Sequence, residues 1–234
     1  MFAIFKKEVK SYFYSPIAYI LIGFFILLTS IFFWPNLVYQ YADFNGVLNT
    51  MGFILIFIIP VLTMRILAED RKNGTEVLLI TSPCSIADIV IGKYLATLVV
   101  FLVMTAITFI YPIILIAYGG QLTVQLVGGY IGFILLGAAF LSVGVFASSL
   151  TENQVVAVVI AFVSLLIMWL ADSIGNIAGG ITSKILSWFS LISRYEDFNV
   201  GILGLSPIVY YISFVGVFLF ITIRVIERRR WSQG

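Results

Sequence analysis

The stretch VIGKYLATLVVFLVMTAITFIYPIILIA, Val90–Ala117, carries one charge, Lys93, close to its start. A transmembrane helix needs about 20 predominantly apolar residues, and this run exceeds that with no polar face, so hydropathy and not amphipathic period delimits it. Taken back to Ile86, a helix ending at Ala117 would reach roughly 48 Å at 1.5 Å per residue, long enough for its N-terminal end to protrude from the hydrocarbon. Working outward, similar runs lie at Ile17–Val38, Met51–Ala68, Val124–Leu150, Val155–Ala171 and Pro207–Ile226. Of the 234 residues, 62% are hydrophobic and 10% charged, whereas soluble domains are about 45–50% apolar and about 25% charged. With a mean hydropathy of +1.13, the chain reads as an all-α membrane protein of six transmembrane helices.

Six spans put both ends of the chain on one side. Lys6, Lys7 and Lys10, then Arg65, Arg71, Lys72 and Lys93, then Arg224, Arg228, Arg229 and Arg230 make 11 of the 13 cations on that side, against Lys184 and Arg194 on the other. Lys and Arg accumulate on the cytoplasmic side, so both termini are expected to be cytoplasmic. No cleavable signal pattern is expected, because the first run follows the lysines directly. Pro16, the pair Ser206-Pro207, Ser85 with Asp88, and Thr151 with Gln154 fit helix starts.

The composition excludes several chemistries. With no histidine and one cysteine, Cys84, there is no His-based triad, Cys/His zinc site or internal disulfide. Gly92-Lys93 is followed by Tyr94 and lacks the upstream glycine of a phosphate-binding loop. The middles of the apolar runs hold no ionisable group, and Arg65, Asp172 and Arg224 lie near span ends. Ion-coupled carriers usually keep such groups at membrane depth, which argues against secondary transport and against an intramembrane hydrolase. No catalytic residue, cofactor or metal site is expected in this chain.

Three segments stand out. In residues 1–15, Phe2, Phe5, Val9, Tyr12 and Phe13 fall on one helical face and Lys6, Lys7 and Lys10 toward the other, the pattern of a membrane-interface helix. Gly128 and Gly132 form G-x-x-x-G, followed by Gly137 and Gly144, which predicts close helix packing inside the bundle. Pro60 and Pro112 are candidate kinks. The segment 172–206 has an apolar stripe, Ile181, Ile185, Leu186, Trp188, Phe189 and Ile192, between glycine clusters. It is expected to re-enter the outer leaflet or cap the bundle, with Trp188 and Phe189 as an outer gate.

The remaining charges concentrate in RILAEDRKNGTEVLLITSPCSIADIVIGK, Arg65–Lys93. Gly74 can end the helix of the second span, Thr75 can cap a short helix, and Pro83 can end that helix. Val77, Leu78, Leu79 and Ile80, flanked by Glu69, Asp70, Arg71, Lys72 and Glu76, form either a docking peg for a cytoplasmic protein or a topogenic loop resting on the membrane.

The segments KKEVKSYFYSPIAYI, MRILAEDRKNGTEVLLITSP, GKYLA, FASSLTENQVVA and SRYEDFNVGIL resemble the permease subunits of ABC-2 type ABC transporters. The resemblance covers nearly the whole chain and is nearest to the gliding-motility and nitrous-oxide-reductase-maturation branch. It implies the ABC-2 permease fold: an interfacial helix at 1–15 and a single six-helix domain at 16–234, with a cytoplasmic coupling segment at 69–83 and an outer re-entrant segment at 172–206. It also implies a second permease chain, as homodimer or heterodimer, and a cytoplasmic ABC ATPase that would hold ATP and Mg. The resemblance maps a coupling helix onto Gly74, Thr75, Glu76, Leu78 and Leu79 and the turn between spans four and five onto Ser148–Gln154, with Thr151 and Glu152; Glu69 and Arg71 join them as ATPase-coupling residues expected to transmit the movement. The expected function is the permease half of an ATP-driven exporter in the cell inner membrane, with no nucleic-acid partner. The rivals are a stand-alone channel or secondary carrier, which needs no ATPase, and a membrane anchor that moves nothing.

Overall fold

The computed structural model describes residues 1–39, 44–76, 84–119, 123–178, 191–202 and 204–232, with backbone alone at 172–173, 175–178 and 230–232. The described residues are helical, joined by turns, with no strand among them. In chain order the helices are α1 (Phe2–Tyr14), α2 (Pro16–Val38), α3 (Phe44–Thr63), α4 (Ala68–Lys72), α5 (Ile86–Ile107), α6 (Ile110–Ala117), α7 (Val124–Leu150), α8 (Gln154–Ala178), α9 (Leu191–Asn199) and α10 (Leu205–Ser232). Six spans are long and apolar enough to cross a membrane: Pro16–Val38, Phe44–Lys72, Ile86–Ala117, Val124–Leu150, Gln154–Ala171 and Leu205–Arg229. They match the apolar runs read from the sequence to within a few residues at most of their ends. The bundle has one end that carries α1 and the C-terminal end of α10, called here the terminal end.

Among the spans α7 is the most enclosed and α10 the least. The glycines of α7 explain its position. A Cβ at Gly132 would sit 2.8 Å from Cβ of Phe198, one at Gly137 would collide with the ring of Phe101, and one at Gly144 with the side chain of Thr63. These glycines let α9, α5 and α3 approach the same helix, so the G-x-x-x-G pair packs inside the bundle.

Proline acts differently at the two expected kink positions. Helix α3 runs through Pro60 to Thr63. The third span breaks at Thr108–Phe109, one turn ahead of Pro112, so the expected single helix is two, α5 and α6. A proline cannot donate to the carbonyl four residues back. At Thr108 that carbonyl accepts instead from the Tyr111 amide and the Tyr130 hydroxyl, each at 3.1 Å.

Capping departs from expectation in two places. Ser85 Oγ accepts from the Asp88 amide at 3.1 Å as expected. The start of α8, however, is capped by Asn153, whose Oδ1 accepts from the Val155 amide at 2.9 Å, while Thr151 Oγ1 accepts from the Asn153 amide. Helix α10 begins at Leu205, ahead of Ser206-Pro207.

The stretch with the expected stripe from Ile181 to Phe189 lies outside the described residues, and with it Trp188 and Phe189. Beyond it, α9 buries Leu191, Tyr195 and Phe198 completely. Tyr211 donates to the Leu191 carbonyl and Asn45 Nδ2 to the Asn199 carbonyl, which pins α9 across the bundle. Helix α1 forms over the expected residues, but Tyr12 does not belong to a free apolar face. It is buried in protein, because its hydroxyl is drawn to a backbone carbonyl of the second span, whereas Phe2 is 73% exposed.

Candidate functional site

The helix of the second span is interrupted before it ends beside Gly74. Helix α3 stops at Thr63, residues 64–67 form turns, and α4 carries the chain on to its cap at Asn73, beside Gly74; helix begins again at Thr75 and Glu76, where the short helix is expected, and residues 77–83 lie outside the described residues. A break of this kind strands backbone groups that a continuous helix would pair. The carbonyls of Thr63, Arg65 and Leu67 still accept from the amides of Ile66, Glu69 and Arg71. Those of Leu62, Met64 and Ile66 each meet a side chain from another helix: Tyr12 Oη of α1 at 2.9 Å, Ser148 Oγ of α7 at 3.1 Å and Lys93 Nζ of α5 at 2.8 Å.

Ser148 does more. Its Oγ also accepts from the amides of Leu67 and Ala68, each at 3.1 Å. A serine hydroxyl has one proton to give and two lone pairs, and all are used. The residue at the cap position of α4, Leu67, has no side chain able to cap, so the cap comes from α7.

Lys93 is 2% exposed. Besides the Ile66 carbonyl, its ammonium meets Glu8 Oε1 of α1 at 2.9 Å and Asp70 Oδ2 of α4 at 2.6 Å. The other Asp70 oxygen accepts from Thr75 Oγ1 at 2.9 Å, just past Gly74, whose φ is +71°. Arg65 pairs with Glu69 at 3.1 Å and donates to Ser15 Oγ. Between α1 and α4 lies a polar cavity of about 240 Å³ lined by residues that include Lys7, Ser11, Arg65 and Asn73. Burial, followed by the charge of Glu8, pushes the Tyr12 phenol above its ordinary range, so it stays protonated and donates.

On the opposite flank, Arg71 pairs with Glu152 at 2.7 Å. Arg229 of α10 donates to the Ser149 carbonyl and lies 3.8 Å from Glu76. The expected coupling residues therefore gather at one place. Glu69, Arg71, Gly74, Thr75 and Glu76 follow the break, and Thr151 and Glu152 lie beside it. Arg71 pairs with Glu152 and Glu76 lies near Arg229, so both also have partners within the chain. Thr75 donates to Asp70. Leu78 and Leu79 lie outside the described residues. Lys6, Lys7 and Lys10 are exposed on α1.

The expected coupling residues omit Glu8, Tyr12, Asp70 and Lys93, and Ser148 is expected only as the edge of the turn between spans four and five, not as a cap. Lys93 had a signal: an ammonium two turns inside an apolar helix, next to a glycine, is costly unless paired. Glu8, the only acid of α1, is its counterpart. Ser148 had none, since a serine that caps a helix 80 positions away looks like any small residue of a span.

No curated protein matches the chain. The family model for the ABC-2 family transporter protein matches residues 36–226. That match includes α4, Lys93 and Ser148 and covers more than half of the sequence, so this multi-pass membrane protein belongs to the ABC-2 transporter family.

Proposed function

We propose that the chain is the permease subunit of an ATP-driven ABC-2 exporter, with both termini on the cytoplasmic side of the cell inner membrane. It pairs with a second permease chain and with cytoplasmic ABC ATPases, which hold the ATP and Mg; this chain supplies the path and no catalytic residue. The motif Ala68–Leu79 supports the gliding-motility and nitrous-oxide-reductase-maturation branch within the family. Lys6, Lys7 and Lys10 hold α1 at the headgroups, and the segment 172–206 with Trp188 and Phe189 closes the outer end.

The observation that carries this reading is the break at Met64–Leu67. A short charged helix, α4, follows the break at the terminal end; it is bonded to Ser148 of α7 and paired with Lys93 of α5, which in turn links it to Glu8 of α1. A push on the segment 69–83 by a closing ATPase dimer is then delivered to several spans together, as a rigid-body shift between the halves. Two copies of such a shift open and close a path between them.

Purification from mild detergent, with identification of the chains that come with it, tests the reading. The expected result is co-purification of an ABC ATPase with the parent chain and its loss from Gly74→Val. A chain that purifies without any ATPase, and yet conducts or transports when reconstituted alone, overturns it in favour of a channel or secondary carrier.

A further inference from the structure

We infer that Lys93 is a positioning residue that fastens α1 to the coupling segment, so that α1, α4 and the terminal end of α5 move as one piece. The inference deepens the proposed function and rests on it for the source of the push.

The geometry is that of a three-way joint. The Lys93 ammonium donates to Glu8 Oε1 on α1 and to the Ile66 carbonyl in the break, and it forms a close ion pair with Asp70 Oδ2 on α4. A lysine that served only to orient the chain in the membrane would keep its ammonium in water. This one is buried, with Glu8 and Asp70 only 15% and 17% exposed. Pulling α1 away from α4 would leave a carboxylate or the ammonium under-paired in a poorly solvated place, which opposes the separation.

The residue before it completes the joint. A Cβ at Gly92 would lie 3.3 Å from the Met1 carbonyl oxygen and 3.4 Å from Ile4, so glycine lets α1 lie against α5 where the next residue pins it. On the far side, Asp70 passes the contact to Thr75, beyond Gly74. A continuous polar path thus runs from Thr75 through Asp70 and Lys93 to Glu8. Tyr12 and Ser15 make two further ties between α1 and the second span, so the Lys93 joint sets the angle of a helix already held near its C-terminal end.

The test places spin labels at Lys10→Cys on α1 and Lys72→Cys on α4, both exposed positions, in a Cys84→Ser background, with the full chain in lipid nanodiscs. The parent is expected to show one narrow distance distribution, Lys93→Met to lose it to a broad one, and Lys93→Arg, which keeps the charge, to restore it. If Lys93→Met does not fold, Glu8→Gln removes only the α1 arm and is expected to broaden the distribution in the same way. A folded Lys93→Met or Glu8→Gln chain with a distribution as narrow as the parent's overturns the joint. Because the measurement needs no ATPase, failure to find an ATPase partner would sink the functional reading without touching this one.

Discussion

The hydroxyl of Ser148 lies 3.1 Å from the amide nitrogen of Ala68, the first residue of a helix 80 positions away in sequence. A side chain in the most enclosed span thus caps the short helix α4 at the terminal end. Because the same oxygen serves Met64 and Leu67, the direction of α4 is set by α7 and not by its own sequence. Removing the hydroxyl leaves three buried backbone groups without that partner. Ser148→Ala is therefore expected to destabilise the chain by about 1–3 kcal/mol. Thermal unfolding of the detergent-solubilised protein measures this, and an unchanged midpoint would show that α4 holds its direction without the cap.

The glycines of α7 differ from those of other spans in what surrounds them. Gly137→Ala drives a methyl into the Phe101 ring, which a packed core resists at a cost of about 1–3 kcal/mol. Gly23 of α2 has open space around its missing side chain, so Gly23→Ala is expected to be neutral or stabilising by up to about 1 kcal/mol through helix propensity. Comparing the two unfolding midpoints checks both, and equal effects would contradict the packing described.

Gly74 adopts φ +71° with nothing near its missing side chain. Space is no obstacle there, only the backbone, so Gly74→Val should cost about 1 kcal/mol or more while the six spans still insert. Gly74→Asn, which tolerates the left-handed region better, should retain more ATPase association than Gly74→Val in a pull-down. Equal retention by both variants would mean that the turn geometry is irrelevant to docking.

Arg71 and Glu152 are partly exposed, and a pair of this kind contributes about 0.2–1 kcal/mol. Arg71→Glu should therefore leave the fold intact but turn the coupling segment away from the neighbouring turn. Adding Glu152→Arg should restore ATPase-linked transport if the pair acts inside the chain. Failure of the double variant to recover anything would assign Arg71 to direct contact with the ATPase. Glu76→Lys meets a similar ambiguity, since it places a cation opposite Arg229 as well as at the docking face.

Single cysteines at Gly74 and Arg194 in a Cys84→Ser background test the sidedness drawn from the cation count. On intact cells an impermeant thiol reagent should modify position 194 and spare position 74. The reverse labelling would invert the protein in the membrane.

Six spans, their ends and the side that carries the cations were legible in the sequence because each depends on a single run of residues and on transfer free energies that sum along it. Val90–Ala117 announces a membrane helix whatever surrounds it. The glycines of α7 announced close packing, since no other residue permits it. The partners of those glycines, the break at Met64–Leu67 and the burial of Lys93 depend on groups brought together from distant positions. The break at Met64–Leu67 contains neither proline nor glycine; the carbonyls that it leaves are satisfied by Tyr12, Ser148 and Lys93 from other helices. Lys93 counts in the sequence among the orienting cations, and its place two turns inside an apolar helix marks it only as needing a partner; the packing of α1 against Gly92, with Glu8 and Asp70 closing on the ammonium, makes it the buried joint of the terminal end.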